Sequence, residues 1–256
     1  MPRSKVPGEP CWIELFTTDV DEAVRFYGGL FGWTRDEAGE EYGGYVTFRR
    51  DGRRVAGCMR NDGTQQVPDS WTVYLETNDA EATAAMTEPH GGQVLVPPMQ
   101  VGPLGRMAFV ADPGGATVGV WEAGEMAGIE DVGEVGAPGW FEVLTSDYDT
   151  VVAFYQNVFA WVTDTMSDTP ELRYTTLGKD DDARAGIEDA SECLAGQGSA
   201  WQFYVVVADT DDTIARAVEL GGAVLTAPED TPYGRLARLA DSAGVPFHVM
   251  GPVAAA

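Results

Sequence analysis

The chain has 256 residues, of which 44% are hydrophobic, and its 41 acidic and 16 basic residues give a formal net charge of -25. This length suits one large domain or two of ordinary size, and the apolar content is sufficient for two cores. Such an acidic surface repels phosphate backbones and anionic lipids, so neither a nucleic acid nor a membrane is an expected partner.

The sequence predicts a cytoplasmic protein. Its first residues contain no apolar run typical of a signal peptide, and no segment has the ~18 consecutive apolar residues of a membrane span. The three cysteines, Cys11, Cys58 and Cys193, are odd in number and widely separated. That spacing argues against a disulfide framework or a zinc site, so we expect reduced cysteines that are mostly buried.

In chain order, the elements begin with a strand over residues 11–17, where polar and apolar residues alternate. Asp19 is the predicted N-cap of an amphipathic helix, because apolar residues recur every three or four positions from 20 to 30. Two short strands follow, one on each side of the Asp51-Gly52 turn, which is a strong hairpin signal.

The pattern then restarts, with a strand over residues 71–76 and a helix over 80–87 that Asp79 caps. Three more strands are predicted over residues 93–96, 107–111 and 117–121. One helix thus alternates with several strands, which favours an α+β fold with a mainly antiparallel or mixed sheet.

The second half of the chain repeats the first. Residues 12–33 and 140–161 match at an offset of 128, with ten of the 22 positions identical. Residues 125–137 are rich in glycine and acidic residues and form the predicted linker. The sequence therefore predicts two modules, residues 8–124 and 138–253, and the second has helices near 150–159 and 211–220.

This order of elements, the Asp caps of the helices and the turn Asp112-Pro113-Gly114-Gly115 before a final strand resemble the vicinal oxygen chelate superfamily. It includes glyoxalases, bleomycin resistance proteins and extradiol dioxygenases, and the tandem arrangement is similar to two-module actinobacterial members. The resemblance covers residues 10–124 and 138–252. It implies tandem α+β modules, each of two βαβββ units that form a curled mixed sheet around a cavity. The superfamily hosts metal enzymes, metal-free enzymes and drug-binding proteins, so the fold alone does not assign a function.

Metal-using members of this superfamily place His, Gln and Glu ligands on facing strands, where they converge on a divalent ion. In the first half, the positions carried over from them are Trp12, Met59 (or Gly57), Thr72 and Gly119, which are not a ligand set.

In the second half, the positions carried over are Trp140, Glu188, Gln202 and His248. Glu188, Gln202 and His248 either converge on a metal or serve as a solvated acid, a polar lining residue and a strand histidine. Because the expected fourth donor is missing, we expect no metal and no cofactor. If there is a metal, those three residues are its candidate ligands.

The strand residues that alternate with these positions share a face with them. That face predicts an aromatic and apolar pocket for a flat organic ligand, or else two module cores that the aromatic residues fill. The candidate ligand-binding residues are Trp12, Thr72, Tyr74, Trp121, Trp140, Gln202, Tyr204, His248 and Met250.

Glu14 and Glu142 each lie inside an otherwise apolar strand, where a buried carboxylate needs a partner or a raised pKa. Either could act as a general acid or base, hold a hydroxyl or amine of a ligand, or bond to the neighbouring helix. Arg106 and Arg235 follow glycines in Pro-containing segments. They either close over the cavity or pair with surface acids.

The leading prediction is a metal-independent glyoxalase/bleomycin-resistance-like protein that binds a small apolar or aromatic metabolite, in antibiotic resistance or secondary metabolism. One alternative is an enzyme of the same superfamily, such as a lyase, hydroxylase or dioxygenase-like protein, with an acid/base Glu or a metal in the second module. Another is a structural protein whose own aromatic residues fill its cavities. The expected partner is a small-molecule ligand. The modules are expected to pair within the chain, with a homodimer as the alternative.

Overall fold

A computed structural model describes residues 6–37, 39, 42–64, 66–194 and 198–253. Within these residues the strands form two mixed sheets of eight strands each, one in each module, and α-helices accompany both sheets. The predicted α+β fold of tandem modules is therefore confirmed. None of the helices in these ranges combines the length and the apolar character that crossing a bilayer requires.

The first module forms one open sheet, with strand order β2-β3-β4-β1-β5-β8-β7-β6. Strands β1 and β4 run parallel, as do β5 and β8, whereas the hairpin strands are antiparallel. In chain order the elements are β1 (Pro10–Thr17), α1 (Val20–Phe31), β2 (Thr34–Glu37), β3 (Val46–Arg50), β4 (Arg53–Arg60), β5 (Ser70–Thr77), α2 (Ala80–Thr87), β6 (Gln93–Val101), β7 (Gly105–Ala111) and β8 (Thr117–Ala123).

The second module repeats this topology, with strand order β10-β11-β12-β9-β13-β16-β15-β14. The same order in both sheets is what a tandem duplication predicts. Its elements are β9 (Pro138–Thr145), α3 (Tyr148–Val158), β10 (Thr163–Asp168), β11 (Arg173–Leu177), β12 (Ala185–Asp189), α4 (Ser191–Leu194), β13 (Ala200–Val206), α5 (Thr210–Glu219), β14 (Ala223–Thr231), β15 (Gly234–Ala240) and β16 (Pro246–Gly251).

The predicted helix caps are present. The Asp19 carboxylate accepts a hydrogen bond from the backbone N–H of Glu22 at 3.0 Å, and Asp79 accepts one from Ala82 at 2.9 Å. Each bond satisfies one of the free N–H groups of a helix's first turn. Helix α1 ends at Gly32, whose φ of 71° lies in the left-handed region that glycine adopts without strain.

The chain forms two compact units, and each draws on both modules. Unit 1 comprises Met1–Cys11, Val73–Gly128 and Phe141–Gln202, and unit 2 comprises Trp12–Thr72, Ile129–Trp140 and Phe203–Ala256. The core of each unit therefore contains side chains from both halves of the sequence. In unit 2, for example, Phe26 of α1 packs edge-on against Phe247 of β16, with 6.0 Å between the ring centroids.

A buried chain of three side chains, which we call a Trp–Tyr–Asp chain, recurs in both units. In unit 1, Trp201 Nε1 donates to Tyr155 Oη at 2.7 Å, and Tyr155 Oη donates to Asp112 Oδ2 at 3.0 Å. In unit 2, Trp71, Tyr27 and Asp241 make the same two bonds, each 2.9 Å long. Each chain thus joins a tyrosine on a helix of one module to an aspartate in a turn of the other.

Both aspartates also organise the turn that contains them. The Oδ1 atom of Asp112 accepts the backbone N–H of Ala116 at 2.8 Å, and the same atom of Asp241 accepts those of Ala243 and Val245 at 2.9 Å. Burial raises the pKa of Asp112 to about 6, although these hydrogen bonds act in the opposite direction. Burial likewise raises the pKa of Asp241.

Candidate functional site

The residues singled out from the sequence are divided between the two units, so each group is described within its own unit. Unit 1 contains Tyr74, Trp121, Glu142, Glu188 and Gln202, and unit 2 contains Trp12, Glu14, Thr72, Trp140, Tyr204, His248 and Met250.

In unit 1 the structure assembles an acidic cluster of Glu142, Tyr174, Glu188 and Gln202. Glu142 is only 6% exposed, and its carboxylate accepts hydrogen bonds from Tyr174 Oη at 2.5 Å and from Gln202 Nε2 at 2.7 Å. These partners lie on β11 and β13 of the same sheet. Two donors thus satisfy the buried carboxylate and fix its orientation.

Strand register explains why these side chains meet. Glu142 lies opposite Gly186, and Glu188 lies opposite Tyr174. A Cβ atom at Gly186 would collide with the Tyr174 hydroxyl, so the absence of a side chain there leaves room for this hydroxyl to reach Glu142.

The first module has a related arrangement in unit 2. Tyr45 bonds to Glu14 and also accepts a hydrogen bond from Trp12 Nε1 at 2.9 Å. A Cβ atom at Gly57 would collide with the Tyr45 hydroxyl.

Sequence reasoning missed both tyrosines. They lie 129 residues apart, at the offset that also relates Ala56 to Ala185 in the repeat. An alignment of the two halves at this offset pairs the two tyrosines, and this pairing could have identified them.

Glu188 is the second acid of this cluster. It is half-buried, and its pKa is raised to about 7, first by burial and then by the charges of Glu142 and Asp189. Near neutral pH both the protonated and the ionised form of its carboxyl group are therefore populated. It can donate a proton in one state and accept a proton in the other, beside a carboxylate of fixed orientation.

We expect Glu142→Gln to lower the pKa of Glu188, because the substitution removes the neighbouring charge that contributes more to the shift. The pKa should stay above the usual glutamate value, since burial is the main cause of the shift. Carbon NMR of the Glu188 carboxyl group measures it directly. Asp189→Asn is the matched control and should lower the pKa by less. A Glu188 that titrates with the same midpoint in Glu142→Gln would contradict this account.

In unit 2, His248 packs its ring against Tyr204, with 5.0 Å between centroids and 43° between ring planes. His248 is half-buried and Tyr204 buried, and the two residues lie opposite each other on neighbouring parallel strands. Burial lowers the pKa of His248 to about 4, and the positive charge of Arg238 adds to the effect. The imidazole is therefore neutral at physiological pH. Met250, two residues along the same strand, is half-buried.

Three predicted lining residues are almost fully buried: Trp12 is 3% exposed, Tyr74 is 2% and Trp121 is 6%. Trp121 Nε1 donates to the backbone carbonyl of Met126 at 2.8 Å, and the Tyr74 ring lies 5.5 Å from that of Phe109. These contacts are typical of core residues. Thr72 and Trp140, by contrast, are half-buried.

Two arginines considered as cavity-closing residues are bound to acids instead. Arg106 contacts Glu81 at 2.6 Å, and Arg235 contacts Asp230 at 2.8 Å and Asp211 at 3.1 Å. Of the two alternatives for these arginines, pairing with acids is the one that the structure shows.

Metal-using enzymes of the vicinal oxygen chelate superfamily bind a divalent ion, and the side chains that the structure describes do not fit such an ion. Across these parts of the chain, no group of three or more His, Cys, Asp and Glu residues is placed to hold an ion. Both carboxylate oxygens of Glu142 already accept hydrogen bonds. Trp140 occupies the position on the module's first strand where metal-using relatives have a ligand. Its indole N–H is a donor only and cannot ligate a cation.

Comparison with known proteins gives matches over both modules. The model of the Glyoxalase/Bleomycin resistance protein/Dioxygenase superfamily matches residues 11–120, and that of the Glyoxalase-like domain matches residues 140–250. The anthracycline biosynthesis protein DauV of Streptomyces sp. (strain C5) is 38% identical over 272 residues, which cover 95% of this chain and 93% of that protein.

Two solved structures share the fold at low sequence identity. The Mn(II)-bound glyoxalase from Novosphingobium aromaticivorans has a TM-score of 0.63 and 14% identity, covering 97% of this chain and 83% of that one. The 2,3-dioxygenase LapB from Pseudomonas sp. KL28 has a TM-score of 0.65 and 11% identity, covering 98% and 94%. At these identities the likeness concerns the fold alone.

Proposed function

The chain belongs to the glyoxalase/bleomycin resistance protein/dioxygenase superfamily, and we propose that it binds a small aromatic metabolite of secondary metabolism without using a metal ion. The relative DauV is named for anthracycline biosynthesis, and anthracyclines are polycyclic aromatic compounds. This relative supports the part of the proposal that concerns secondary metabolism. No disulfide joins the described cysteines Cys11, Cys58 and Cys193, which supports a reducing, cytoplasmic setting.

The observation that carries the proposal is the acidic cluster. Glu142 is buried and oriented by two donors, and the neighbouring Glu188 and Gln202 are half-buried and so reachable from solvent. A carboxyl group with a pKa of about 7 can donate to a carbonyl oxygen when protonated and accept from a hydroxyl when ionised. Aromatic metabolites that bear both groups match this pattern, because a few polar contacts orient a ligand whose body is apolar.

Metal independence is supported by the donor set. Both carboxylate oxygens of Glu142, the acid beside Glu188, accept hydrogen bonds, one from Tyr174 and one from Gln202. A cation at Glu142 would compete with these two donors for the same carboxylate group. The polar contacts proposed for the ligand are made by Glu188 and leave both hydrogen bonds of Glu142 in place.

A second candidate function is an enzyme in which Glu188 transfers a proton. A general acid or base works best when its pKa lies near the working pH, and Glu188 meets this condition. The neighbouring Glu142, held by Tyr174 and Gln202, would then favour the protonated form of Glu188. The substrate class is the same, an aromatic molecule with a carbonyl or hydroxyl group.

We expect the protein to bind a neutral hydroxyanthraquinone, as measured by isothermal titration calorimetry, and Glu188→Leu to weaken this binding about tenfold. The loss follows because the variant removes one hydrogen-bonding group from an otherwise intact cluster. Glu192→Gln, which changes an exposed acid on α4, is the control and should bind as the wild type does. Removal of metals with a chelator should leave the affinity unchanged.

Three results would count against the proposal: no binding of the probe, equal binding by Glu188→Leu, or a stoichiometric metal whose removal abolishes binding. The enzymatic alternative is tested on the same probe. Turnover with an inflection near pH 7 that disappears in Glu188→Gln would favour it. Tight binding with no change in the probe would favour the binding function.

A further inference from the structure

Three side chains of unit 2 form a row across neighbouring strands of the second module. Arg238 on β15 lies directly opposite His248 on β16, and His248 lies directly opposite Tyr204 on β13. Residues paired in this way point to the same face of a sheet, with Cβ atoms about 5 Å apart. We call these three residues the Arg–His–Tyr row.

The row lies on a face that is partly open to solvent. On β16 the flanking residues Phe247 and Val249 are 1% and 0% exposed, whereas His248 and Met250 are half-buried. Because side chains alternate along a strand, the row and Met250 share the face of the sheet opposite to Phe247 and Val249. On this face Tyr204 is buried and Arg238 is exposed. Leu236, which pairs with Met250, is also half-buried and adds an apolar contact beside the row.

Arg238 is unusual among the arginines of this acidic chain. Most described arginines have a carboxylate within 4.0 Å, whereas neither Arg238 nor Arg60 has such a partner among the residues the structure describes. Arg238 is exposed, and no described group accepts a hydrogen bond from its guanidinium. In a protein with a net charge of -25, acids are abundant, so a guanidinium without one is available to an external anion.

His248 adds a second available group. Within the described ranges its ring makes a stacking contact with Tyr204 and no hydrogen bond. A neutral imidazole offers one N–H donor and one acceptor nitrogen. The donor can therefore complete the coordination of an oxyanion that Arg238 attracts, beside the aromatic rings of the row.

The first module shows what the same row looks like without these groups. In unit 1, Phe109, Gly119 and Tyr74 occupy the corresponding strands and lie opposite one another. The rings of Phe109 and Tyr74 are 5.5 Å apart, and a Cβ atom at Gly119 would collide with Tyr74. That row carries no charge and is filled by its own aromatic side chains, so the guanidinium and the imidazole are specific to the second module.

We propose that the Arg–His–Tyr row binds an organic anion with an aromatic or apolar body, such as an aromatic carboxylate. Arg238 binds the anionic oxygens, His248 donates one hydrogen bond, and Tyr204, Met250 and Leu236 contact the apolar part. The acidic cluster shares no residue with this row, although Gln202 and Tyr204 lie two residues apart on β13 and therefore on the same face of that strand. The inference is argued from Arg238 and His248 and is tested with its own probe.

The probe for this site is naphthalene carboxylate, with the neutral naphthalene carboxamide as its isostere, and binding is measured by calorimetry at low salt. We expect the acid to bind about tenfold or more tightly than the amide, because a charged hydrogen bond is stronger than a neutral one. Added salt should weaken binding of the acid and leave that of the amide unchanged. Equal affinities, or no binding of the acid at millimolar concentration, would overturn the proposal.

Variants assign the effect to the row. Arg238→Gln should remove the preference for the acid, and His248→Phe, which keeps a ring, should weaken acid binding by a smaller factor. Arg60→Gln deletes the other arginine without an acidic partner and should bind as the wild type does. If Arg60→Gln and Arg238→Gln weaken binding equally, the effect is one of net charge and the row is not the site. Hydroxyanthraquinone binding should be unchanged in Arg238→Gln, which separates this test from that of the acidic cluster.

Discussion

Residues 1–137 expressed without the rest of the chain are expected not to form a folded monomer. The reason lies in unit 2, where Phe26 and Tyr27 of α1 pack against Phe247 of the second module, at 6.0 and 5.6 Å between ring centroids. In the fragment, two side chains that are 0% and 1% exposed in the full chain would lose this cover. Tyr27 would also lose its acceptor, Asp241.

The size of the effect follows from the number of such contacts. Each large apolar side chain that becomes exposed costs about 2–3 kcal/mol, and unit 1 loses comparable contacts. The total is similar to the whole stability of an ordinary domain, about 5–15 kcal/mol. The fragment should therefore show a poorly dispersed NMR spectrum, or else associate through the same exposed faces.

Co-expression with residues 138–256 is the control for this experiment and should restore a folded, dispersed spectrum, because both halves of each unit are then present. A monomeric fragment of residues 1–137 with cooperative unfolding would show that the contacts between modules are dispensable. It would also contradict the account of the two units given above.

Asp112→Ala is expected to lower the free energy of unfolding by about 2–4 kcal/mol at pH 7. The substitution removes the acceptor of the Tyr155 hydroxyl and of the Ala116 backbone N–H, both of which are buried. Urea denaturation monitored by tryptophan fluorescence measures the change. Asp241→Ala should have a similar effect, because Asp241 holds the corresponding positions in unit 2.

The effect of Asp112→Ala should also depend on pH in a defined direction. The pKa of Asp112 is about 6 in the folded protein and about 4 for an aspartate in an unfolded chain. A raised acid pKa contributes stability below the unfolded value, and this contribution is lost as the pH rises through the folded value. The variant should therefore be more destabilised, relative to the wild type, at pH 5 than at pH 7. A difference that grows toward alkaline pH would contradict the assignment.

Local signals in the sequence were sufficient for most of the fold. Asp19 and Asp79 cap helices where the apolar period begins, and the Asp51-Gly52 turn joins β3 and β4. Strand β2, Thr34–Glu37, was missed because all four of its residues are exposed and carry no apolar alternation. Its position depends on pairing with β3, which is a contact that no local pattern encodes.

The composition of the two units lay beyond sequence reasoning for a related reason. Tyr27 bonds to Asp241 and Tyr155 bonds to Asp112, at separations of 214 and 43 residues. Nothing in the amphipathic pattern of α1 or α3 says which sheet will cover it, since any apolar face satisfies the pattern. The repeat shows that two similar parts exist, but not which half of one packs with which half of the other.

For the candidate site, the alternation of residues along a strand identified the acids that lie among apolar residues. Glu142 stood out as a carboxyl group inside an apolar strand, and the structure places it against Gln202, a second predicted residue. Tyr174 was missed because a tyrosine in a strand is typical of a core. Arg238 was missed because it differs from most other arginines only in having no carboxylate nearby. Which arginines pair with acids depends on the folded structure and cannot be read from the sequence.

The contrast between the two equivalent rows, Phe109–Gly119–Tyr74 and Arg238–His248–Tyr204, also bears on how such a protein can evolve. A dimer of identical chains carries each substitution twice, so a charge that benefits one site appears in the other as well. Joining the copies in one polypeptide ends that constraint. One half is then free to become a rigid, apolar support, while the other gains polar groups that would have destabilised both if they had been introduced as a symmetric pair.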